Sequence, residues 1–394
     1  MKKLLLATAA TGLLAGAASA EDIKIGLSLG FTGPLESMAP AMQKGAELAV
    51  KEVNDSGKLL DGSTVTVVTA DNTCADAAAA TAAVERLVTA DKVNGIVGGM
   101  CSGETIASLQ NVAVPNGMVM ISPSATSPAL STIEDQGYFF RTSPSDARQG
   151  EVMTDIILEH NIKNVAVTYT NNDYGKGLAD SFDAAFKAKG GNVTITAPHD
   201  DGKADYSAEV AALAAAGGDA LVIAGYVDQG GAGVLRGAID SGAFNTFVFT
   251  DGMVAQALET NFGPELTGSF GQNPAAEGPG RDKFVEMAKA ADFDGTAAFA
   301  SESYDAAALI MLAMQAAKSS DPKVYKDKVM DVANGPGEKI LPGELAKGLE
   351  LLAAGTDIDY DGATAVELVG PGESAGRYRE IAFKDGKMDV VGYR

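Results

Sequence analysis

The chain has 394 residues, 46% of them hydrophobic, and its formal net charge at pH 7 is −22. So acidic a protein repels nucleic acid and anionic lipid, which excludes both as expected partners. The hydrophobic content predicts a globular protein, and the length favours two domains over one.

The first 20 residues have the pattern of a secretory signal peptide. Lys2 and Lys3 precede an apolar segment at residues 4–17, and Ala18-Ser19-Ala20 supplies the small-residue cleavage site. The apolar segment is too short and too rich in Ala and Gly for a good membrane span, and no later stretch approaches the roughly 20 apolar residues that a span needs. We therefore expect cleavage after Ala20, export to the periplasm and no insertion into the membrane.

The chain has two cysteines, Cys74 and Cys101. In an oxidising compartment, a pair of cysteines predicts a disulfide rather than a metal site or a catalytic thiolate.

From Asp22 onward, short β-rich runs alternate with longer helical patterns. In the first part of the chain, strands are predicted at residues 22–30, 64–72, 93–97 and 118–121. After residue 146 the rhythm starts again, with strands at residues 164–170, 192–196, 219–226 and 246–251. This repetition predicts an α/β fold of two similar, Rossmann-like lobes, each built on a parallel sheet.

The last third of the chain departs from this rhythm, which indicates that the chain returns to the first lobe and then crosses again. We predict a first lobe of residues 21–142 plus about 275–356, and a second lobe of residues 143–274 plus about 357–394. The Gly- and Pro-rich residues 271–280 and the Asp-rich residues 353–363 suit the two later crossings. The three crossings would form the hinge.

Candidate site residues were sought at the carboxyl ends of the strands, where open α/β sheets bind ligands. Ser102 opens a predicted helix whose first N–H groups would attract a carboxylate or phosphate, although Ser102 could instead simply cap that helix. Ser122, Ser124 and Thr126 follow the next strand in a loop that contains two prolines, where they form either an anion site or an ordinary capped turn.

The second unit offers aromatic residues and an acid at its strand ends. Tyr174 and Tyr226 each follow a predicted strand and could form aromatic walls of a site or be partly buried at the sheet edge. Asp251 ends the strand at 246–250, where it could bind an ammonium group or cap a helix that starts near Met253.

Signatures of catalysis are missing from the sequence. His160 and His199 lie in neither a metal-like nor a triad-like context, and the G-x-S-x-G, P-loop and dinucleotide-binding patterns are absent. We therefore expect a protein that is not an enzyme and uses neither a metal nor a cofactor.

Seven segments together resemble the type I periplasmic binding proteins of ABC importers, in the leucine/isoleucine/valine-binding branch. They occur in family order, as GFTGP at 30–34, CSGET at 101–105, ISPSATSP at 121–128, YFFRTSPSD at 138–146, NDYGKG at 172–177, AGY at 224–226 and TDG at 250–252. The resemblance implies a monomeric protein of the type I periplasmic binding protein fold. It would capture a small amino acid by hinge closure and deliver it to an inner-membrane permease.

The resemblance also implies roles for particular residues. The ligand carboxylate would be held by Ser102, Ser124 or its neighbour Ala125, and Thr126. The ammonium group would meet Asp251 and Thr126, and the second lobe would close over the ligand with Tyr174 and Tyr226. Two methionines would face the ligand side chain, Met38 and Met100.

Two positions depart from the branched-chain pattern, since relatives commonly have Glu at the position of Asp251 and an aromatic residue at that of Met38. The alternatives to an amino-acid carrier are a binding protein for an amide, urea, or an aromatic or other carboxylate, and the ligand-sensing component of a signalling system.

Overall fold

The computed structural model describes residues 20–394, so the predicted signal peptide lies outside the described residues apart from Ala20. Residues 20–394 form two seven-stranded sheets and one two-stranded sheet. Within residues 20–394, no helix has both the length and the apolar character needed to cross a membrane.

The first sheet is built mainly from the N-terminal part of the chain. Its strands are β1 (Asp22–Leu29), β2 (Thr64–Asp71), β3 (Gly95–Gly98), β4 (Met120–Ser122), β5 (Phe139–Pro144), β13 (Leu368–Val369) and β14 (Glu373–Ser374). Their order is β13-β14-β5-β4-β3-β1-β2, and β1 to β5 pair in parallel. All four residues of β3 and all three of β4 are buried, which is typical of a parallel sheet covered on both faces.

The second sheet repeats this arrangement. Its strands are β6 (Asn164–Thr170), β7 (Asn192–His199), β8 (Ala220–Ala224), β9 (Phe247–Phe249), β10 (Phe270–Pro274), β15 (Tyr378–Lys384) and β16 (Lys387–Tyr393). The order is β16-β15-β10-β9-β8-β6-β7, and the last two strands of the chain add as an antiparallel hairpin. The third sheet pairs β11 (Glu338–Ile340) with β12 (Ile358–Tyr360).

Helices cover the faces of both sheets. They are α1 (Ala39–Ser56), α2 (Ala77–Thr89), α3 (Ser102–Ser108), α4 (Val114–Asn116), α5 (Asp146–Glu159), α6 (Asp173–Ala188), α7 (Ser207–Ala216), α8 (Gly230–Ser241), α9 (Gln256–Phe262), α10 (Pro279–Ala290), α11 (Ala300–Ala317), α12 (Pro322–Tyr325), α13 (Val329–Ala333) and α14 (Leu345–Ala353). A π-helical segment, Leu109–Ala113, joins α3 to α4. The α/β fold with two parallel-sheet lobes is confirmed.

Helix α11 forms the centre of the first lobe. Its residues Ala300–Gln315 are all buried, so no face of this part of the helix is exposed to solvent. The spacing of its hydrophobic residues therefore does not indicate which face points towards the core. At Gly45 of α1, an added Cβ would lie 2.1 Å from the carbonyl oxygen of Ala300, so only glycine allows this close approach between the helices.

The chain crosses between the lobes three times. The first crossing follows β5, and the second lies between β10 and α10. The second linker was predicted at residues 271–280, but its first residues belong to strand β10. Because β13 and β14 belong to the first sheet, the third crossing lies between Ser374 and Tyr378 and not near residue 357.

The Asp-rich segment predicted as the third crossing is instead tied to the first lobe. The buried carboxylate of Asp305, on α11, accepts hydrogen bonds from the backbone N–H groups of Ala363 and Thr364 and from the hydroxyl of Tyr360. The composition of residues 353–363 correctly indicated a loop. The lobe to which this loop belongs is decided by its contact with Asp305, which is 58 residues from Ala363 in the chain.

The predicted disulfide joins Cys74, in the loop after β2, to Cys101 at the start of α3. The sequence separation is 27 residues and the Cα atoms are 5.2 Å apart, within the usual range for a disulfide. The bond therefore fixes the carboxyl end of β3 to the neighbouring end of β2.

Replacing both cysteines by serine should lower the free energy of unfolding by roughly 3 to 4 kcal/mol, because the closed loop restricts the unfolded chain. Urea unfolding of the oxidised protein and of the Cys74→Ser/Cys101→Ser variant measures this difference. Reduced wild type, compared with the variant under reducing conditions, is the control and should show little difference. Equal stability of the oxidised wild type and the variant would contradict the expectation.

Candidate functional site

The carboxyl ends of the two sheets face a cleft between the lobes. The cleft encloses a cavity of about 10 Å³, room for about one water molecule. Six of the predicted site residues line it, namely Met100, Ser102, Ser124, Tyr174, Tyr226 and Asp251. The structure thus brings together residues that the sequence separates by up to 151 positions.

Direct hydrogen bonds between the lobes hold the cleft closed. Ser127 Oγ of the first lobe donates to the backbone oxygen of Asp173 in the second lobe at 3.0 Å. Farther along the cleft, the carboxylate of Asp228 accepts a 2.9 Å hydrogen bond from the N–H of Ser37, and its own N–H donates to the carbonyl oxygen of Pro34. A ligand larger than a water molecule therefore requires the lobes to separate before it can enter.

Ser102 lies at the first position of α3, where Cys101 occupies the N-cap. The Oγ of Ser102 accepts a 3.1 Å hydrogen bond from the N–H of Ser127, so Ser102 connects two loops and does not cap its own helix. No hydrogen bond among residues 20–394 uses the N–H groups of Ser102 and Gly103, which are the unpaired donors of a helix start. Ser102 itself lines the cavity.

Glu104 fixes the backbone just before these donors. Its Oε1 accepts hydrogen bonds from the N–H groups of Met100 at 2.6 Å and Cys101 at 3.1 Å, and from the side-chain amide of Asn72 at 2.8 Å. Burial raises the pKa of Glu104 to about 8, although these hydrogen bonds act in the opposite direction. Sequence reasoning did not single out Glu104, but its position three residues after the N-cap is that of a capping-box acid.

The loop after β4 is organised by Ser122. Its Oγ donates to the carbonyl oxygen of Gly99 at 2.7 Å and accepts from the N–H of Ala125 at 2.9 Å, so Ser122 follows the capped-turn alternative. The N–H of Ala125 is consequently not free, and Ala125 does not line the cavity, contrary to the role implied for it. Ser124 lines the cavity while its Oγ donates to the carbonyl oxygen of Met100 at 2.8 Å.

Arg141, which the sequence did not identify, holds this loop from behind. Its guanidinium is 1% exposed and donates to the carbonyl oxygens of Ala125 and Ser127 at 3.1 and 3.0 Å. It also forms an ion pair with Glu373 of β14. The final part of the first lobe thereby supports the loop that carries Ser124.

Tyr174 and Tyr226 form the aromatic part of the second wall. Their rings stack with centroids 5.2 Å apart, and both side chains are buried. The Tyr174 hydroxyl donates to Asp251 Oδ1 at 2.6 Å, and the Tyr226 hydroxyl accepts from the side-chain amide of Asn172 at 3.3 Å. The tyrosines therefore lie inside the cleft and not at an exposed sheet edge.

Asp251 follows β9 and is buried at the cleft. Its Oδ1 accepts from Tyr174 and, at 3.0 Å, from Gln149 Nε2. Burial raises its pKa, and the two hydrogen bonds offset part of that effect. The helix that follows begins at Gln256 with Ala255 as its N-cap, so the alternative role of Asp251 as a helix cap is wrong.

A second acid, Asp146, lies near Asp251. It is fully buried at the start of α5, and neither of its carboxylate oxygens has a hydrogen-bond partner. Burial, and next the negative charge of Asp251, raise the pKa of Asp146 well above its ordinary value, while Arg141 acts in the opposite direction. The hydroxyl of Thr126 is also buried without a partner and does not line the cavity.

The two methionines differ in position. Met100 lines the cavity, and its Sδ lies 3.3 Å from the N–H of Gly30. Met38 instead lines a separate, larger pocket between the lobes. Leu35 and Phe299, which sequence reasoning missed, supply the apolar part of the cavity wall. Phe299 has φ 60°, a strained conformation for a bulky residue, and no sequence pattern indicated it.

A concavity larger than the cleft cavity lies elsewhere on the described surface. It has a volume of about 880 Å³ and lies between α7 and α8 of the second lobe, with Tyr206 and Arg236 among its lining residues. All of its lining residues belong to the second lobe, so it is not enclosed between the two lobes.

A family model described as "Periplasmic binding protein" matches residues 22–335. The chain belongs to this family. A Leu/Ile/Val-binding protein homolog 1 of Brucella melitensis is 32% identical over 341 residues, which are 84% of this chain and 87% of the relative.

Solved structures agree with this membership. The leucine-binding protein LivK of Thermotoga maritima is similar with a TM-score of 0.80 and 23% identity, over 94% of this chain and 98% of that one. The branched-chain amino acid binding protein LivJ of Streptococcus pneumoniae, in complex with isoleucine, is similar with a TM-score of 0.77 and 26% identity, over 94% and 99% of the two chains. The type I periplasmic binding protein fold is thus confirmed.

The Glu104→Gln variant tests how burial of Glu104 is linked to stability. Since its pKa is raised from 4.5 to about 8, the folded protein holds the proton more tightly than the unfolded chain. The resulting stabilisation is complete below pH 4.5 and is lost as the pH rises through about 8. Between these values, the stability of the wild type should fall by about 1.4 kcal/mol per pH unit relative to the variant. Parallel pH curves in urea unfolding would contradict this.

Proposed function

We propose that this protein is a periplasmic solute-binding protein that captures an α-amino acid between its lobes and presents it to an ABC importer. The main support for the proposal is that two walls of different chemistry face each other across one cavity. Ser102 and Ser124 lie on the first-lobe side, and Asp251 lies on the second-lobe side. An amino acid has the matching negative and positive ends.

The first wall is suited to the ligand carboxylate. The free N–H groups at the start of α3 and the hydroxyl of Ser102, which accepts from Ser127 and keeps its own proton free, are donors that can point at a negative group. The disulfide, Glu104 and Arg141 hold the backbone of this wall from three directions. A wall held in this way loses little conformational freedom on binding, which favours affinity.

The second wall is suited to the ligand ammonium group. Asp251 and Asp146 are both buried, and no Lys or Arg of the described residues forms an ion pair with either of them. A buried carboxylate without a counter-ion is costly, and a positively charged group between the lobes would remove that cost. A ligand without an amino group would leave this charge uncompensated, which argues against the amide, urea and simple carboxylate alternatives.

The apolar residues around the cavity support a branched-chain ligand. Leu35, Met100 and Phe299 would surround a side chain that points away from the two charged groups. The Brucella relative is named a Leu/Ile/Val-binding protein, and the Streptococcus structure contains isoleucine. Leucine, isoleucine or valine is therefore the first choice for testing.

Binding would be coupled to movement of the lobes. Since the cavity of the closed protein has a volume of about 10 Å³, the ligand enters an open form and must widen the site as the lobes close on it. Differential affinity for the closed form shifts the equilibrium towards it, and an inner-membrane permease would recognise that shape. The protein itself would perform no chemical reaction.

Asp251→Asn tests the ammonium role. The change keeps the size and the hydrogen bonds of the side chain but removes its negative charge, so leucine affinity should fall by a factor of about 30 or more, corresponding to 2 kcal/mol or more. Isothermal titration calorimetry measures the affinity. Asp240→Asn, at an exposed aspartate of the same lobe, is the matched control and should bind leucine like the wild type.

The ligand itself provides a second comparison. 4-Methylpentanoate is leucine without the amino group, and it should bind the wild type much more weakly than leucine does. Mass spectrometry of the molecule released from denatured protein identifies a ligand carried through purification. The proposal fails if Asp251→Asn binds leucine as tightly as the wild type, or if only molecules without an amino group bind.

A further inference from the structure

A second pocket between the lobes lies beside the amino-acid cavity and has a volume of about 530 Å³. Three chain segments line both cavities. Leu35, Gly252 and Phe299 line the smaller cavity, whereas the nearby Met38, Val254 and Ala298 line the larger pocket. Its size is in the range typical of small-molecule sites.

Two arginines, one from each lobe, line this pocket. Arg281 lies on α10 of the first lobe and is 8% exposed, and Arg379 lies on β15 of the second lobe and is 7% exposed. Neither guanidinium has a carboxylate oxygen at ion-pair distance within residues 20–394, whereas the other buried arginine, Arg141, pairs with Glu373. Arginine is seldom buried without such a partner.

Most of the hydrogen-bonding capacity of the two guanidiniums is unused. Arg281 donates to Ser301 Oγ at 2.7 Å. Arg379 donates to Asn273 Oδ1 at 2.8 Å and to the backbone oxygen of Thr296 at 3.0 Å. A guanidinium has five N–H donors, so most of the donors of this pair make no hydrogen bond among the described residues.

The acidic groups around the pocket do not neutralise the two arginines directly. Glu302 is buried and is hydrogen-bonded to Arg281 through the hydroxyl of Ser301, which donates to Glu302 Oε2 at 2.9 Å; its charge offsets part of that of the two arginines without an ion pair to either. Glu259 accepts from Lys387 and from the N–H of Met388.

Two further acids lie at the pocket. Asp294 accepts from the N–H and hydroxyl of Thr296, and Asp282 is exposed on α10. Burial, and next the charge of Arg281, lower the pKa of Arg379 to about 10, so the two cations are close enough to repel each other. An anion between them would relieve both effects.

The remaining walls of the pocket are largely apolar. They include the side chains of Met38, Val254, Val285, Ile381 and Met388. A highly hydrated inorganic anion does not match such walls, whereas a carboxylate on a hydrocarbon body matches both the cations and the apolar surface.

We propose that this pocket is a second ligand site, which binds a small aliphatic carboxylate between Arg281 of the first lobe and Arg379 of the second. Because the two arginines belong to different lobes, the bound anion favours the closed arrangement. The inference does not depend on which molecule occupies the amino-acid cavity.

Isovalerate and isovaleramide are suitable probes because they share a shape and differ in charge. Isovalerate should raise the melting temperature of the mature protein and bind in calorimetry, and isovaleramide should do neither. Arg281→Gln and Arg379→Gln should each weaken isovalerate binding by about tenfold or more, the effect of losing a charge-assisted hydrogen bond. Arg236→Gln, at an exposed arginine paired with Glu265, is the matched control and should leave binding unchanged.

Isovalerate could instead enter the amino-acid cavity, and Ser102→Ala distinguishes the two sites. The second site predicts that Ser102→Ala keeps isovalerate binding and that the arginine variants lose it. The opposite pattern would overturn the inference without affecting the proposed amino-acid site. Equal binding of isovalerate and isovaleramide, or no binding of isovalerate, would also overturn it.

A variant that keeps both arginines guards against a folding defect. V285E places a carboxylate four residues after Arg281 on α10, at a position that lines the pocket. The carboxylate introduced at position 285 should occupy the place of the isovalerate carboxylate between the two arginines. The variant should therefore fold but should no longer bind isovalerate. An unchanged response of folded V285E to isovalerate would count against the site.

Discussion

The arrangement of this protein depends on buried charge that the chain itself leaves uncompensated. Asp251 and Asp146 meet at the cleft without a Lys or Arg in contact, and each carboxyl group is harder to ionise because of burial. In a protein interior an unpaired charge lowers the stability of the fold, and another favourable interaction has to offset that cost. Under the proposed function, a ligand that carries the missing positive charge would offset it, and this would link binding to the closed form.

The two walls of the cleft are built differently. The first wall is rigid, since a disulfide, the buried Glu104 and the guanidinium of Arg141 fix its backbone. The second wall carries the stacked Tyr174 and Tyr226 on a separate lobe, joined through three crossings and a few hydrogen bonds between lobes. A fixed half-site and a mobile half-site are what hinge closure around a small molecule requires.

The neighbouring pocket also contains buried charges without an ion-pair partner, but there the charges are positive. There the unpaired buried charges are Arg281 and Arg379, which, unlike the two acids, are contributed by different lobes. Closure therefore brings the two arginines together, whereas the two acids already lie side by side within the second lobe. An amino acid in the first cavity and a carboxylate in the second would each favour the closed form, so their binding would be thermodynamically linked.

The sequence by itself predicted the alternation of strands and helices and the two-lobe fold from local periodicity, and the disulfide from the two cysteines of an exported chain. It predicted five residues of the cavity from their places at strand ends, whereas Met100 came from the family resemblance. Only the tertiary structure decided that residues 368–374 complete the first sheet, that Arg141 supports the Ser124 loop, and that Asp146 and Gln149 lie beside Asp251. The physical reason is that these contacts join residues far apart in the chain, such as Gln149 and Asp251, which are 102 positions apart. No local pattern encodes such a pairing, since it forms only when the intervening strands and helices of the second lobe pack together.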